Sequence, residues 1–159
     1  MIEVFCAVDN QNGIGMGNQR PWYFQQEMQR LYAASEGKAL VMGRRGFLSY
    51  RSRFIAHRQC LVISSRLDDQ ADRQTGSRVN VSVQSVLDAS LKKDSVVIGG
   101  AMTITTFLPY ADKITLLRIA RNYDDCTVFL PPLKGWVRTE RNPVPCLHDS
   151  LFEETWLRQ

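Results

Sequence analysis

The chain has 159 residues, 44% hydrophobic and 23% charged, with a formal net charge of +4, the profile of an ordinary globular domain with a sizeable core. No apolar run approaches the ~18 residues that cross a bilayer, and Met1 to Gly13 lacks the basic segment and small-residue cleavage site of a secretory leader, so we expect a cytoplasmic protein with no membrane role. Cys6, Cys60, Cys126 and Cys146 form no Cys-x-x-Cys pair and His57 and His148 lie far apart, so we expect reduced thiols and no metal centre.

In chain order, Ile2 to Val8 is a short apolar run, as expected of a buried strand. Asp9 to Arg20, with three glycines and three asparagines, reads as a loop, and Phe24 to Ala34 as a helix. Ala39 to Met42 is a strand followed by Gly43 and a helix through Tyr50, and Gln59 to Ile63 is a strand. Val79 to Val83 is a weaker strand, Val86 to Leu91 a helix, Ser95 to Ile98 a strand, and Met102 to Leu108 a helix after the Gly99-Gly100 turn. Lys113 to Ile119 is a strand, and Val137 to Leu157 holds one or two more, joined by a long proline-containing connection. No repeat or linker divides the chain, so one domain over residues 1–159 is expected. Strands alternating with helices predict an α/β fold with a mostly parallel sheet, whose ligands bind beyond the strands' carboxyl ends.

Charge is unevenly spread. From Glu36 to Asp68 no acid intervenes, while Lys38, Arg44, Arg45, Arg51, Arg53, Arg58 and Arg66 supply seven positive charges; the remaining 13 basic residues face 16 acids. Such a window suits an anionic partner. Its arginines interleave with apolar strands, which favours a polyanionic small molecule over nucleic acid.

Three features carry chemistry. Glu27 is the one carboxylate of its helix and lies beside the apolar stripe of Phe24, Met28, Leu31 and Tyr32. It is either a solvated edge residue paired with Arg30 or an acid in a dry cleft that takes an amidine-like cation. Second, three strand ends lead into Gly43-Arg44-Arg45-Gly46, Ser64-Ser65-Arg66 and Gly99-Gly100-Ala101, each able to offer N–H, hydroxyl or guanidinium donors to phosphate. None is the GxGxxG fingerprint. Third, the glycines of Gly13-Ile14-Gly15-Met16-Gly17 and the closing Pro21-Trp22 describe either a mobile lid or a long surface loop with a buried tryptophan.

AVDNQNGIGMGNQRPW resembles the first strand and mobile loop of dihydrofolate reductases, and Glu27 stands where that family places its pterin-binding acid, five residues past the tryptophan. KALVMGRRGF, CLVISSR and VVIGGAMTITTFLPYADKITLLRI resemble further family segments in the same order, to about residue 131; HDSLFEETW is similar only loosely. The resemblance implies a central mostly parallel sheet with an antiparallel C-terminal strand and about four flanking helices. It implies a monomer that uses NADPH to reduce dihydrofolate, by hydride transfer to pterin C6 and protonation of N5 from solvent. Glu27 and Trp22 would be catalytic, with Glu27 holding the pterin. Phe5, Met28 and Leu31 would line the substrate pocket, and Arg58, with Arg53 nearby, would hold the glutamate tail. Ala7, Ile14, Gly99 and Gly100 would border nicotinamide and pyrophosphate, with Gly43, Gly46, Ala101, Met102 and Thr103 around them. Arg44, Arg45, Ser64, Ser65 and Arg66 would surround the 2′-phosphate, which favours NADPH over NADH.

The chain departs from the family pattern at Gly46, where a Thr or Ser is usual, and at Leu117, where a Thr normally bonds the pocket acid. It departs also at Ile104, Leu31 and Cys126. These changes imply an altered pocket and weaker binding of diaminopyrimidine drugs such as trimethoprim. A reductase of another pterin or of a flavin precursor, and a non-catalytic binding protein on the same scaffold, are the alternatives.

Overall fold

The computed structural model describes residues 1–17, 19–50, 58–64, 78–147 and 150–159, with residues 48–50 described by their backbone alone. Strand β1 (Ile2–Val8) is buried at all seven positions, because both of its faces are covered. Ile2, Val4, Cys6 and Val8 join one core layer with Val86, Ile104 and Phe107. Phe5 joins the opposite layer with Leu31, Leu40, Met42 and Phe47, and Ala7 a neighbouring cluster with Trp22 and Leu117. Each large side chain so buried contributes roughly 1.5–3 kcal/mol.

The chain continues through β2 (Gly13–Gly15), α1 (Gln25–Ala34), β3 (Ala39–Gly43), α2 (Arg44–Tyr50), β4 (Cys60–Ile63) and β5 (Arg78–Val81). It goes on through α3 (Val83–Ser90), β6 (Ser95–Val97), α4 (Ala101–Phe107), a 3₁₀ turn at Leu108–Tyr110, β7 (Lys113–Ile119), β8 (Val128–Phe129), β9 (Trp136–Val144) and β10 (Leu151–Arg158). Eight strands form one sheet in the order β5-β4-β3-β6-β1-β7-β10-β9. Within this sheet the described pairings are parallel except those that β10 makes with β7 and β9. The expected α/β architecture, with four α-helices among the described residues, is the one observed.

Three expectations need correction. The loop after β1 contains β2, which pairs antiparallel with β8. The fifth strand ends at Val81 rather than Val83, because Ser82 caps α3: its Oγ accepts from the Ser85 amide at 3.1 Å. The tail holds two long strands with a short connection, and Pro143 sits inside β9, at the sheet edge where a missing N–H is tolerated.

Candidate active site

Parallel strands deliver their ends to one side of the sheet, so β1, β3, β4 and β6 bring Asp9, Gly43, Ser64 and the Gly99-Gly100 turn to a common rim. The Gly43 amide donates to the Gly99 carbonyl at 3.0 Å, which ties two of these turns together. Thr103 Oγ1 lies 3.0 Å, and the Gly99 carbonyl oxygen 3.8 Å, from where Cβ atoms on Gly43 and Gly46 would stand, respectively. Gly43, Gly46, Gly99 and Thr103 are therefore one cluster, with Gly100 and Ala101 opening α4 beside them. Gly100 has open space where a Cβ would stand, which leaves room for a flat or phosphorylated ligand to approach the backbone. Arg44 and Arg45 are exposed at the start of α2, Ser64 is half-buried, and Met102 is exposed. Ile14 packs on the core layer of Val4 and Ile104. Arg53, Ser65 and Arg66 lie outside the described residues.

On the other side of β1, α1 sets its face. Leu31 is buried, Met28 packs beside Phe5, and Tyr32 is exposed despite its place in the apolar stripe. Glu27 is 6% exposed, so it is buried and is not a solvated edge residue. Its position in the first helical turn places the carboxylate near the positive end of the helix dipole. Its partner is Arg20, whose Nη1 forms an ion pair with Glu27 Oε1. Arg30 instead reaches Glu153 Oε2 at 3.3 Å. Arg58 is fixed at the far end of α1: its Nε donates to Ser35 Oγ at 3.1 Å and its Nη2 to the Tyr32 carbonyl at 3.0 Å, with the guanidinium 4.0 Å over the Tyr32 ring. Trp22 is 8% exposed, 5.2 Å from the Tyr123 ring, and its Nε1–H has no hydrogen-bond partner among the described residues. A buried donor of that kind suits a site whose ligand or bridging water brings an acceptor.

The atypical positions are well packed. Leu117 and Ile104 are buried. Thr115, two residues before Leu117 on the same strand face, spends its hydroxyl on Glu3 Oε1 at 2.7 Å, and Lys38 Nζ lies 3.3 Å from Glu3 Oε2. Those groups line a cleft of about 670 Å³ with Arg30 and Glu153. It opens beside the amino ends of β1 and β7, away from the rim where the candidate residues gather.

Sequence reasoning missed the residues that hold the loop. Asp9, fully buried, accepts from the Gln11, Gly13 and Tyr123 amides at 2.9, 2.8 and 3.0 Å. An Asp directly before Asn-Gln-Asn-Gly is a recognisable Asx-turn signal, so that role was accessible. Arg118 was not: its Nη1 donates to the Asp9 carbonyl and to Asn12 Oδ1, both at 2.6 Å, and its Nη2 to Glu154 Oε1 at 3.0 Å. Burial alone would raise the Glu154 carboxyl, but the hydrogen bonds and charge of Arg118, the Trp156 indole and Arg138 hold it below its ordinary value. Burial pushes the Cys6 thiol up to about 12, against the opposing charge of Arg20.

The sequence matches the family model described as dihydrofolate reductase over residues 1–148. The chain belongs to the dihydrofolate reductase family. It is accordingly an NADPH-dependent oxidoreductase. A dihydrofolate reductase type 3 of Salmonella typhimurium is 31% identical over 151 residues, covering 91% of this chain and 88% of the relative. The dihydrofolate reductase of Bacillus subtilis is 30% identical over 78% of this chain and 72% of its own. A dihydrofolate reductase from Enterococcus faecalis, solved with NADP(H) and RAB-propyl, superposes with a TM-score of 0.86 at 23% identity, covering 100% of this chain and 96% of that one. The last likeness concerns the fold, and it extends over the C-terminal strands, where the resemblance to dihydrofolate reductases in sequence is loose. None of the four cysteines is joined in a disulfide among the described residues, and no helix among them is long and apolar enough to cross a membrane.

Proposed function

We propose that this chain reduces 7,8-dihydrofolate to tetrahydrofolate, as one cytoplasmic, monomeric domain of residues 1–159, with Glu27 as the acid that holds the pterin. The observation that carries the reading is a carboxylate at 6% exposure on α1, the helix whose Met28 and Leu31 pack in the core layer of Phe5. A carboxylate so placed accepts two N–H bonds from the 2-amino group and ring nitrogen of a flat pterin, and polarises the ring. Solvent admitted beneath the loop protonates N5. Bound NADPH supplies the hydride, from nicotinamide C4 to pterin C6. The protein's share is alignment and exclusion of water: Ala7, Ile14, Gly99, Gly100, Ala101, Met102 and Thr103 border the cofactor's nicotinamide and pyrophosphate, with Gly43 and Gly46 beneath. Arg44, Arg45 and Ser64, with Ser65 and Arg66, take the 2′-phosphate. Trp22, whose buried indole N–H has no partner among the described residues, would wall the reacting rings.

Arg58 favours folate over a pterin without a carboxylate tail, since its guanidinium is already oriented by Ser35 and Tyr32. The family resemblance gives Arg53 a supporting part in holding that tail. Leu117, which has no hydroxyl to offer Glu27, and the pairing of Glu27 with Arg20 support weakened binding of diaminopyrimidine drugs such as trimethoprim. The test is to follow NADPH oxidation with dihydrofolate for the native chain and for Glu27→Gln. We expect turnover that falls by about 10²-fold or more in the variant, in the range of acid–base and polarising groups. Equal turnover in both would refute the assignment of Glu27, and NADPH binding without turnover would refute the catalytic reading.

A further inference from the structure

We propose that Arg20 is a built-in competitor for Glu27 that sets how tightly the site takes amidine-bearing ligands. The inference rests on Glu27 as the pterin acid and extends that reading to a residue of the loop. A guanidinium and a diaminopyrimidine or pterin amidine present the same planar fork of N–H donors, so they seek the same carboxylate edge. A bidentate amidine needs both oxygens of Glu27, and Arg20 already holds Oε1.

The loop is built to deliver this guanidinium. Met16 and Gln19 exchange two backbone hydrogen bonds, at 2.6 and 2.9 Å, and close a tight turn just before Arg20. Gly15 permits that turn, since a Cβ there would lie 2.8 Å from the Gln19 carbonyl oxygen. The Thr127 amide donates to the Gly15 carbonyl at 2.9 Å and the Gly17 amide to Thr127 Oγ1 at 3.2 Å, which pins the hairpin to the segment before β8. After Arg20, Pro21 restricts the backbone and Trp22 is buried, so the chain is held on both sides of the arginine.

The pair is asymmetric. The Arg20 side chain is 34% exposed and has a path into water, whereas that of Glu27 is 8% exposed and stays in place. Ligand entry is therefore an exchange of cations on a fixed anion, and the intrinsic affinity is multiplied by the fraction of molecules in which Arg20 has left. Arg20 displaced ten times in eleven would cost little; Arg20 seated ten times in eleven weakens every amidine ligand about tenfold.

The experiment is calorimetric titration of the ligand-free full chain with 2,4-diaminopyrimidine, together with the KM for dihydrofolate. Arg20→Gln should tighten diaminopyrimidine binding about tenfold and lower KM in parallel. Arg20→Lys, which keeps the charge without the planar fork, should fall between. In a Glu27→Gln background the Arg20→Gln change should give no tightening. Unchanged or weaker binding in Arg20→Gln, or equal tightening without the Glu27 carboxylate, overturns the proposal. Normal turnover that is lost in Glu27→Gln, with no effect of Arg20→Gln, sinks the competitor alone. Tightening without any dihydrofolate turnover upholds the competitor and sinks the catalytic reading.

Discussion

Glu154→Gln tests whether the buried ion pair behind the loop is as important as its geometry suggests. Glu154 is 1% exposed, and its two oxygens meet Arg118 Nη2 at 3.0 Å, Arg118 Nε at 3.4 Å, Trp156 Nε1 at 3.2 Å and Arg138 Nη1 at 3.4 Å. The glutamine keeps one acceptor oxygen but turns an amide donor toward guanidinium groups and leaves the largely buried Arg118 without its counter-charge. Removing one partner of a buried pair costs about 3–5 kcal/mol; the retained acceptor and the half-exposed Arg138 place this case at the lower end, about 3 kcal/mol. For a chain of 159 residues that is a drop in Tm of roughly 6–12 °C. The sign of the pH dependence follows from the depressed Glu154 carboxyl. Its stabilisation is complete above the unfolded pKa of about 4.3 and is lost as pH falls through the lower folded value. The gap between native and variant Tm should therefore be constant from about pH 8 to 5 and narrow below about pH 4. Asp94, whose carboxyl is also held low, by the N-terminal amine, is common to both proteins and cancels. A gap worth less than about 1 kcal/mol at neutral pH, the ordinary value of a surface pair, or one that widens on acidification, would refute the reasoning.

Two other substitutions probe the cofactor and substrate ends of the site. Gly46→Ser should raise stability by about 0.5 kcal/mol, since α2 gains a better helix former and a new Cβ would make ordinary contacts at 3.5 Å to Met42 Cβ and 3.8 Å to the Gly99 carbonyl oxygen. The added hydroxyl should lower the Kd for NADPH a few-fold more than that for NADH, as measured by fluorescence titration; a lower Tm would show that the cluster has no room. Arg58→Leu should raise the KM for dihydrofolate about 10- to 100-fold, the worth of one charge-assisted contact, with a smaller loss for a dihydropterin that has no glutamate tail. Equal losses for both substrates in steady-state assays would remove Arg58 from the tail site.

What the sequence discloses is what local pattern can carry. β1, β3, β4, β6 and β7 are apolar runs because helices or loops cover both faces of the central sheet, so their ends, and with them the Gly43, Ser64 and Gly99 turns, follow from hydrophobicity alone. β9 is the opposite case. Seven of its nine residues are exposed, Trp136 and Val144 being its buried ends, so it has no apolar signature and exists because β10 offers it an edge. The same division runs through the site. Glu27 is legible as the lone acid beside an apolar stripe, but its partner is not. Spacing along a helix points to Arg30, three residues on, which the fold sends to Glu153 on β10; the cation that reaches Glu27 comes from a hairpin closed by Met16 and Gln19. Arg118 is further still from local view: its contacts reach 106 and 109 residues back and 36 forward, and in sequence it is only a charge interrupting an apolar strand. A charged residue inside such a run is costly without a partner. Its presence in β7 is therefore itself a statement that a distant acid and distant backbone acceptors converge there, and the loop root at Asp9 and Asn12 is where they do.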